Sequence, residues 1–183
     1  MGPSYLSSDS LVLRPLQPQD AKASAGWYRS PFPVSPPRAG TLLTEMHTAA
    51  WGQQAPLILA IVERHNQDIV GAVEMSNPRA RTASISITTA LTLGLTDADR
   101  LGANVIPILI PWLRDELEMM SITLPLASDQ TASAMAAEAQ GMTMAVRLRE
   151  HVGRPGTRVD LLFYQLLGAP WSIPPQTSEP RHA

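Results

Sequence analysis

Alternation of apolar and polar positions predicts strands along most of the chain. Seven segments are predicted strands, some from alternation with a period of two and some from a short continuous apolar run: residues 11–16, 56–62, 69–75, 82–91, 122–126, 142–150 and 158–167. Turn-forming residues from His65 to Asp68 join the second and third segments, and Gly153-Arg154-Pro155-Gly156 joins the last two, as in hairpins. The pattern therefore predicts about seven strands, most of them antiparallel.

Apolar residues at helical spacing mark four further segments, over residues 18–28, 38–53, 96–119 and 130–140. The third segment opens with Thr96, a capping hydroxyl that is followed by acids in the first turn. Pro107 and Pro111 lie inside this segment, and an interior proline removes a backbone donor and crowds the preceding turn, at a cost of about 3 kcal/mol. We therefore expect this helix to bend or to divide in two between Ala103 and Trp112.

The order of these elements along the chain is β-α-α-β-β-β-α-β-α-β-β. Such an order predicts the α/β fold class, here in its α+β form. We expect a mixed and largely antiparallel sheet that is flanked by about four helices. We expect one domain over residues 1–167. Residues 168–183 form a proline-rich C-terminal tail with little apolar pattern, and we expect this tail to be loosely ordered.

Composition excludes several classes of function. A net charge of −2 gives no basic surplus for nucleic acid or for anionic lipid. No apolar run approaches the ~20 residues that a membrane span needs, and the first residues show no signal-peptide pattern, so we expect a cytoplasmic protein. The chain has no cysteine, which excludes disulfides, thiolate metal sites and cysteine catalysis. Its four histidines lack ligand spacing, so no metal site is predicted.

Four short motifs stand in order on the predicted elements. They are Asp9-Ser10-Leu11-Val12-Leu13-Arg14-Pro15-Leu16 with Pro18-Gln19-Asp20-Ala21, then Ile69-Val70-Gly71, then Asp129-Gln130-Thr131-Ala132-Ser133 with Gly141-Met142, and finally Leu148-Arg149-Glu150-His151 with Gly156, Asp160 and Tyr164. Together they resemble the ribosomal-protein alanine acetyltransferase branch of the GNAT superfamily, whose members are acetyl-CoA-dependent N-acetyltransferases. The resemblance covers residues 9–167.

This resemblance implies a wedge where two parallel strands splay apart, here residues 82–91 and 122–126. Acetyl-CoA would lie in the wedge, with its pantetheine arm held by backbone groups of Ile87, Thr88 and Thr89. The amino terminus of the following helix would hold the pyrophosphate, because free N–H groups and the helix dipole favour anions there. An amine would attack the thioester directly, with the help of a base and of a proton donor for the departing thiolate.

The expected pyrophosphate loop departs from the family's pattern, which reads Q/R-x-x-G-x-G/A. Counting back from the end of the helix places the loop near residues 94–100, where Gly94 stands alone and has no basic residue three positions before it. Otherwise only Arg100, Gly102 and Ala103 are available as cofactor contacts, and their spacing differs from the family's. We therefore expect acetyl-CoA to bind weakly or not at all.

Two acids strengthen this expectation. Asp97 and Asp99 are either helix-start acids on a solvated turn or close neighbours of the pyrophosphate. In the second case each pair of like charges repels by roughly 1 kcal/mol even in a water-like dielectric. Both alternatives count against ordinary cofactor binding.

Catalytic candidates are few, and each has a simpler alternative. Glu74 is a candidate base or substrate contact, or else a solvent-facing strand residue. Ser133 matches the branch's serine, whose hydroxyl would protonate the thiolate, but a hydroxyl near a helix start also bonds free backbone groups. Gln130 stands where the family has asparagine, as a cofactor contact or as a helix-entry residue. Ala137 occupies the place of the tyrosine acid of other branches, and Tyr164 is expected to pack in the core.

Other polar and aromatic residues are weaker candidates for a functional role. His65 is expected to be a solvated turn residue and His47 a surface residue of the second helix, while Trp27 either joins the core or lines an acceptor groove.

Two classes of function therefore stay open. The first is an N-acyltransferase that moves an acetyl group from acyl-CoA to an amine, either a small molecule or a protein N-terminus. The second is a catalytically silent domain of the same fold that binds a ligand or a protein partner. The proline-rich and modestly charged surface also permits a homodimer.

Overall fold

The computed structural model describes residues 6–17, 56–76, 81–90 and 93–168, together with positions 20, 35, 37, 38 and 41. The helices predicted over residues 18–28 and 38–53 fall almost entirely outside these residues. Trp27, His47 and the tail beyond residue 168 also lie outside them.

The described residues form one sheet of eight strands, in the spatial order β1-β2-β3-β4-β5-β6-β8-β7. The strands are β1 (Leu6–Ser7), β2 (Leu11–Pro15), β3 (Leu57–Glu63), β4 (Ile69–Ser76), β5 (Thr82–Thr89), β6 (Ser121–Ala127), β7 (Thr143–Arg154) and β8 (Thr157–Leu167). Every neighbouring pair is antiparallel except β5 and β6. The predicted fold class is confirmed. All seven predicted strands are present, and β1 adds an eighth that is too short for its period to be recognised.

Two α-helices lie within the described part of the chain, α1 (Leu95–Pro111) and α2 (Thr131–Ala139), and a π-helical turn (Trp112–Glu116) follows α1 directly. α1 runs unbroken through Pro107, so the predicted division does not occur at that residue, and the alternative of a bent axis stays a prediction. Pro107 is exposed, so water can bond the carbonyl that its missing N–H leaves free. Regular α geometry ends only after Pro111, where the Leu117 N–H reaches back five residues to the Trp112 oxygen at 3.1 Å.

The core lies mainly between the sheet and α1. Residues at alternate positions of the strands join the apolar face of α1, and their largest fully buried side chains are Leu13, Leu59, Ile61, Met75, Ile85, Ile106, Leu109, Ile110, Leu113, Ile122 and Leu124. The opposite face of the sheet carries a second buried cluster, Leu16, Ala60, Val62 and Ala72. The central strands are therefore apolar on both faces, which explains why β3 reads as a nearly continuous hydrophobic run.

The hairpin of β7 and β8 contains a bulge that a carboxylate stabilises. Its register jumps between Leu148 and Val152, so three residues of β7 oppose Asp160 alone. Asp160 accepts hydrogen bonds from the Glu150 N–H at 2.8 Å and from Arg147 Nε at 2.5 Å. The bond from the Glu150 amide, and then the Arg147 guanidinium, lower the pKa of the Asp160 carboxyl.

Within the same described residues, neither helix is long and apolar enough to cross a membrane.

Candidate active site

A gap opens between the two parallel strands of the sheet. β5 and β6 are in register over three residue pairs only, and the last of these pairs joins Ser84 to Thr123. Beyond it, β5 continues for five residues and β6 for four without pairing to each other. The prediction that these strands are parallel neighbours is confirmed. The end of their pairing leaves a wedge at their carboxyl ends, where ligands commonly bind in sheets with parallel strands.

The hydrogen-bonding phase of β5 decides which backbone groups face this wedge. The Ala90 N–H donates to the Val70 oxygen at 2.8 Å, so position 90 is turned toward β4. Position 88 shares this phase, and the Thr88 oxygen lies so close to Gly71 that a Cβ on that glycine would approach it to 2.4 Å. Successive strand residues point their backbone groups to opposite sides. Residues 85, 87 and 89 therefore direct their N–H and C=O groups toward β6 and the wedge.

This phase separates the three backbone contacts that the resemblance implies. Ile87 and Thr89 have backbone groups on the wedge side, and their contact with a cofactor stays a prediction. The backbone of Thr88 instead belongs to the ladder with β4, opposite Ala72.

Helix α1 begins beside the wedge with an uncapped amino terminus. Gly94 is its N-cap, with φ −66° and ψ 163°, and no side chain makes a capping hydrogen bond there. The first intrahelical bond runs from the Ala98 N–H to the Gly94 oxygen at 2.9 Å, so the amides of residues 95–97 have no intrahelical acceptor. Thr96 is therefore not the cap, contrary to expectation. A Cβ on Gly94 would meet nothing within 4 Å, so an anion can approach this helix end closely.

The charged side chains of this first turn offer little attraction to an anion. Asp97 is 60% exposed and Arg100 is 72% exposed, and their side chains lie 3.8 Å apart as an i,i+3 ion pair. Such an exposed pair contributes little to stability. It does place Arg100 beside the Asp97 carboxylate, and this negative charge weakens the attraction of Arg100 for a phosphate.

Asp99 follows in the next turn of α1 and has a different environment. It is only 8% exposed, and its carboxylate accepts hydrogen bonds from the Ala132 N–H at 2.9 Å and the Ser133 N–H at 2.8 Å. These amides belong to the first turn of α2, whose own N-cap residue, Gln130, makes no side-chain capping bond. The expectation that Asp99 lies on a solvated turn is wrong, whereas it holds for Asp97. No local sequence signal links two residues 33 positions apart.

Ser133 is joined to α1 as well. Its side chain is fully buried, and its hydroxyl donates to the backbone oxygen of Asp99 at 2.9 Å. The predicted proton-donor role of Ser133 stays a prediction, and in this arrangement the hydroxyl proton is already bound by α1. Gly102 packs against the same hydroxyl, because a Cβ there would lie 2.4 Å from Ser133 Oγ. Gly102 and Ala103 are therefore interior residues of α1 and form no loop.

The remaining candidates lie on both sides of the wedge. Glu74 is half-buried on β4, where its register partners are Ile58 and Ser86. It shares the sheet face of Ala72, opposite α1. At the end of β6, Gln130 accepts the Ala127 N–H with its side-chain Oε1 at 2.8 Å and so closes the turn into α2.

Tyr164 and His65 have the roles that the sequence predicts. Tyr164 is buried in the core, where its hydroxyl donates to Glu138 Oε1 at 3.1 Å. Burial, and then the bond to Glu138, raise the pKa of this phenol. Glu138 lies in the last turn of α2, away from the helix start beside the wedge. His65 is exposed in the β3–β4 turn, 3.7 Å from the Glu63 carboxylate.

A solved structure with substantial sequence identity has the same architecture. It is the crystal structure of a protein from Sphaerobacter thermophilus with a provisional assignment as an acetyltransferase, and it matches this chain with a TM-score of 0.71. The two sequences are 32% identical, and the match covers 93% of this chain and 99% of the other.

Two further solved structures share the fold at lower identity. The ribosomal-protein alanine acetyltransferase of Vibrio fischeri is 15% identical, with a TM-score of 0.64 over 93% of this chain and 100% of its own. The spermidine/spermine N-acetyltransferase of Vibrio cholerae is 19% identical, with a TM-score of 0.60 over 86% of this chain and 92% of its own. At these identities the likeness is one of fold alone. No family model and no curated protein matches the sequence.

Proposed function

Because the chain belongs to the GNAT superfamily of acetyltransferases, we propose that it transfers an acetyl group from acetyl-CoA to an amine, through a cofactor site with an atypical phosphate end. The wedge between β5 and β6 is the observation that carries this proposal. It leaves the backbone edge of β5 without a partner strand at the carboxyl ends of two parallel strands. An extended ligand that carries amide groups can complete that edge.

The pantetheine arm of the cofactor fits this edge. Its amides can pair with the wedge-side N–H and C=O groups of Ile87 and Thr89 much as a neighbouring strand would. The bound cofactor would supply an acetyl thioester, whose carbonyl carbon is open to attack by an amine. The chain's own part is to orient the arm along β5 and to exclude water from the narrow end of the wedge.

The phosphate end of the cofactor fits the start of α1 less well than the pantetheine arm fits β5. The free amides of residues 95–97 suit a pyrophosphate, and the open space at Gly94 permits its approach. Asp97 opposes this attraction by roughly 1 kcal/mol for each phosphate charge nearby. Arg100, the cation of the same turn, is paired with that acid. We therefore expect weak cofactor binding that depends mainly on the pantetheine arm.

Glu74 is our candidate for the base that takes the proton from the attacking amine. It lies one strand away from the wedge, on the face where its cross-strand neighbour Ser86 is half-buried. Proton transfer by a positioned carboxylate contributes typically 10²- to 10⁴-fold to rate.

The acceptor class follows from chemistry and from the related folds. Solved structures with this fold include enzymes named for a ribosomal-protein alanine and for spermidine. We propose an uncharged primary amine as the attacking group, on a small molecule or at a protein N-terminus.

A second candidate function is a silent domain that binds a ligand in the same wedge. One observation favours it. Helix α1 already begins at Leu95, so helix occupies most of the stretch where the family's glycine-rich loop is expected. A helix presents fewer free amides to a phosphate than a loop that wraps around it.

Titration and turnover distinguish the two candidates. Acetyl-CoA would be titrated into the protein, and thiol release would be followed with a panel of primary amines and N-terminal peptides. The variant Thr89→Pro removes one wedge-side N–H while leaving the ladder with β4 intact. Thr89→Val is the matched control, because it removes the hydroxyl and keeps that N–H.

We expect binding and turnover by the natural chain and by Thr89→Val. Thr89→Pro should weaken acetyl-CoA binding by about three- to tenfold, the equivalent of one hydrogen bond. Binding without turnover across the whole panel would favour the silent domain. Absence of acetyl-CoA binding would overturn the proposed enzyme.

A further inference from the structure

Two helix amino termini meet at the edge where the wedge opens. α1 follows β5 and α2 follows β6, so both helices begin beyond the carboxyl ends of the diverging strands. The start of α1 has free amides and no side-chain cap. The start of α2 receives the Asp99 carboxylate. The Asp99 carboxylate, which belongs to α1, therefore already occupies the start of α2, a position that favours anions.

Asp99 alone takes part in three hydrogen bonds between α1 and α2. Its two carboxylate oxygens accept the Ala132 and Ser133 amides, and its backbone oxygen accepts the Ser133 hydroxyl. All three distances lie between 2.8 and 2.9 Å, and both Asp99 and Ser133 are buried. Close contact between Gly102 and Ser133 continues this connection one turn further along α1.

We infer that Asp99 is a positioning residue for the cofactor site. Its carboxylate ties α1, one turn after the free amides of residues 95–97, to the start of α2 at the end of β6. The direction in which those amides point relative to the wedge then depends on the hydrogen bonds of Asp99, a residue that does not itself contact the ligand. This inference rests on the proposed function, since it assumes that a phosphate group binds at the start of α1.

Asp97 provides a natural contrast. It is an acid two positions before Asp99, in the first turn of α1, but its side chain is exposed and pairs with Arg100 rather than with α2. If these acids act only by repelling phosphate, then removing either of them strengthens binding of CoA. If Asp99 positions the turn, then its removal weakens binding of CoA while removal of Asp97 strengthens it. The two explanations predict opposite signs for Asp99.

The experiment compares CoA with pantetheine, which lacks the phosphates. Affinities of both ligands are measured for the natural chain, Asp99→Ala and Asp97→Ala, in the presence and absence of formate. Asp99→Ala should lower the ratio of CoA affinity to pantetheine affinity by about three- to tenfold, within the range of helix-terminus interactions. Asp97→Ala should raise this ratio. Formate, a free carboxylate that fits the vacated position, should restore the ratio in Asp99→Ala.

Each outcome decides the question. A ratio that rises in Asp99→Ala, or stays within twofold while the melting temperature falls by roughly 5–10 °C, overturns the positioning role and leaves the proposed function intact. A natural chain that binds neither ligand overturns the proposed function and this inference together. If Asp99→Ala does not fold, Asp99→Asn replaces it, because its amide oxygen keeps one of the two acceptors. A ratio that falls in Asp99→Asn supports the positioning role, and a ratio that rises or stays within twofold overturns it.

Discussion

Replacement of Gly102 by alanine tests the packing between α1 and α2 directly. A Cβ at this position would lie 2.4 Å from Ser133 Oγ, well inside the 3.0 Å that real Cβ contacts respect. Ser133 is fully buried and its hydroxyl is bonded to Asp99, so it has no free space to move into. Either the helices separate by several tenths of an ångström, or the hydroxyl loses its bond.

The magnitude follows from three terms. Overpacking a buried contact costs about 1–3 kcal/mol, and loss of the bond from Ser133 to Asp99 costs about 0.5–1.5 kcal/mol. Alanine in place of glycine stabilises a helix interior by about 1 kcal/mol. Gly102→Ala should therefore lower the free energy of unfolding by about 0.5–3.5 kcal/mol.

The same substitution should have the opposite sign when Ser133 is alanine. Without Oγ, the nearest remaining atom is the Cβ of residue 133, at 3.5 Å, an ordinary contact. Gly102→Ala should then stabilise the Ser133→Ala chain by up to about 1 kcal/mol.

Urea unfolding followed by circular dichroism measures all four members of this cycle. Gly153→Ala is the control for glycine replacement as such, since a Cβ there meets nothing within 4 Å. The reasoning is refuted if Gly102→Ala changes stability by the same amount in both backgrounds, within the roughly 0.5 kcal/mol that independent sites show.

Two further predictions concern carboxylates. Glu74→Gln should leave acetyl-CoA affinity unchanged and lower kcat by about 10²-fold or more, and steady-state kinetics with full retention of kcat would exclude Glu74 as the base. The pKa of Asp160 is lowered in the folded chain, so its stabilising effect is present above about pH 4 and is lost as the pH falls through the folded pKa. Asp160→Asn should thus lower the urea midpoint at neutral pH, and this difference should shrink as the pH falls below about 4. A difference that does not change with pH contradicts this reasoning.

Much of the fold was accessible from periodicity. β3, β4, β6 and β8 were predicted to within two residues at each end, because their apolar pattern has the period of the strand and reflects burial on one or both faces. The resemblance added that β5 and β6 are parallel neighbours, which their pairing confirms. The unbroken α1 was not predicted, because the effect of Pro107 depends on whether that side of the helix faces water.

The candidate site was less accessible. The resemblance placed the end of β5 at the wedge, but it did not separate Thr88 from Thr89. That distinction depends on which backbone groups bond to β4, and so on the register between two strands. Asp97 and Asp99 likewise read as equivalent acids at a helix start.

Only the tertiary structure distinguished those two acids. Asp97 points to solvent, while Asp99 caps a helix that begins more than thirty residues later. By itself, the sequence determined where the strands and the two helices of the described residues lie, because local periodicity records which side of each element is buried. It could not determine which element receives a given carboxylate, because that bond joins residues distant in sequence and exists only after β5, α1, β6 and α2 have packed together.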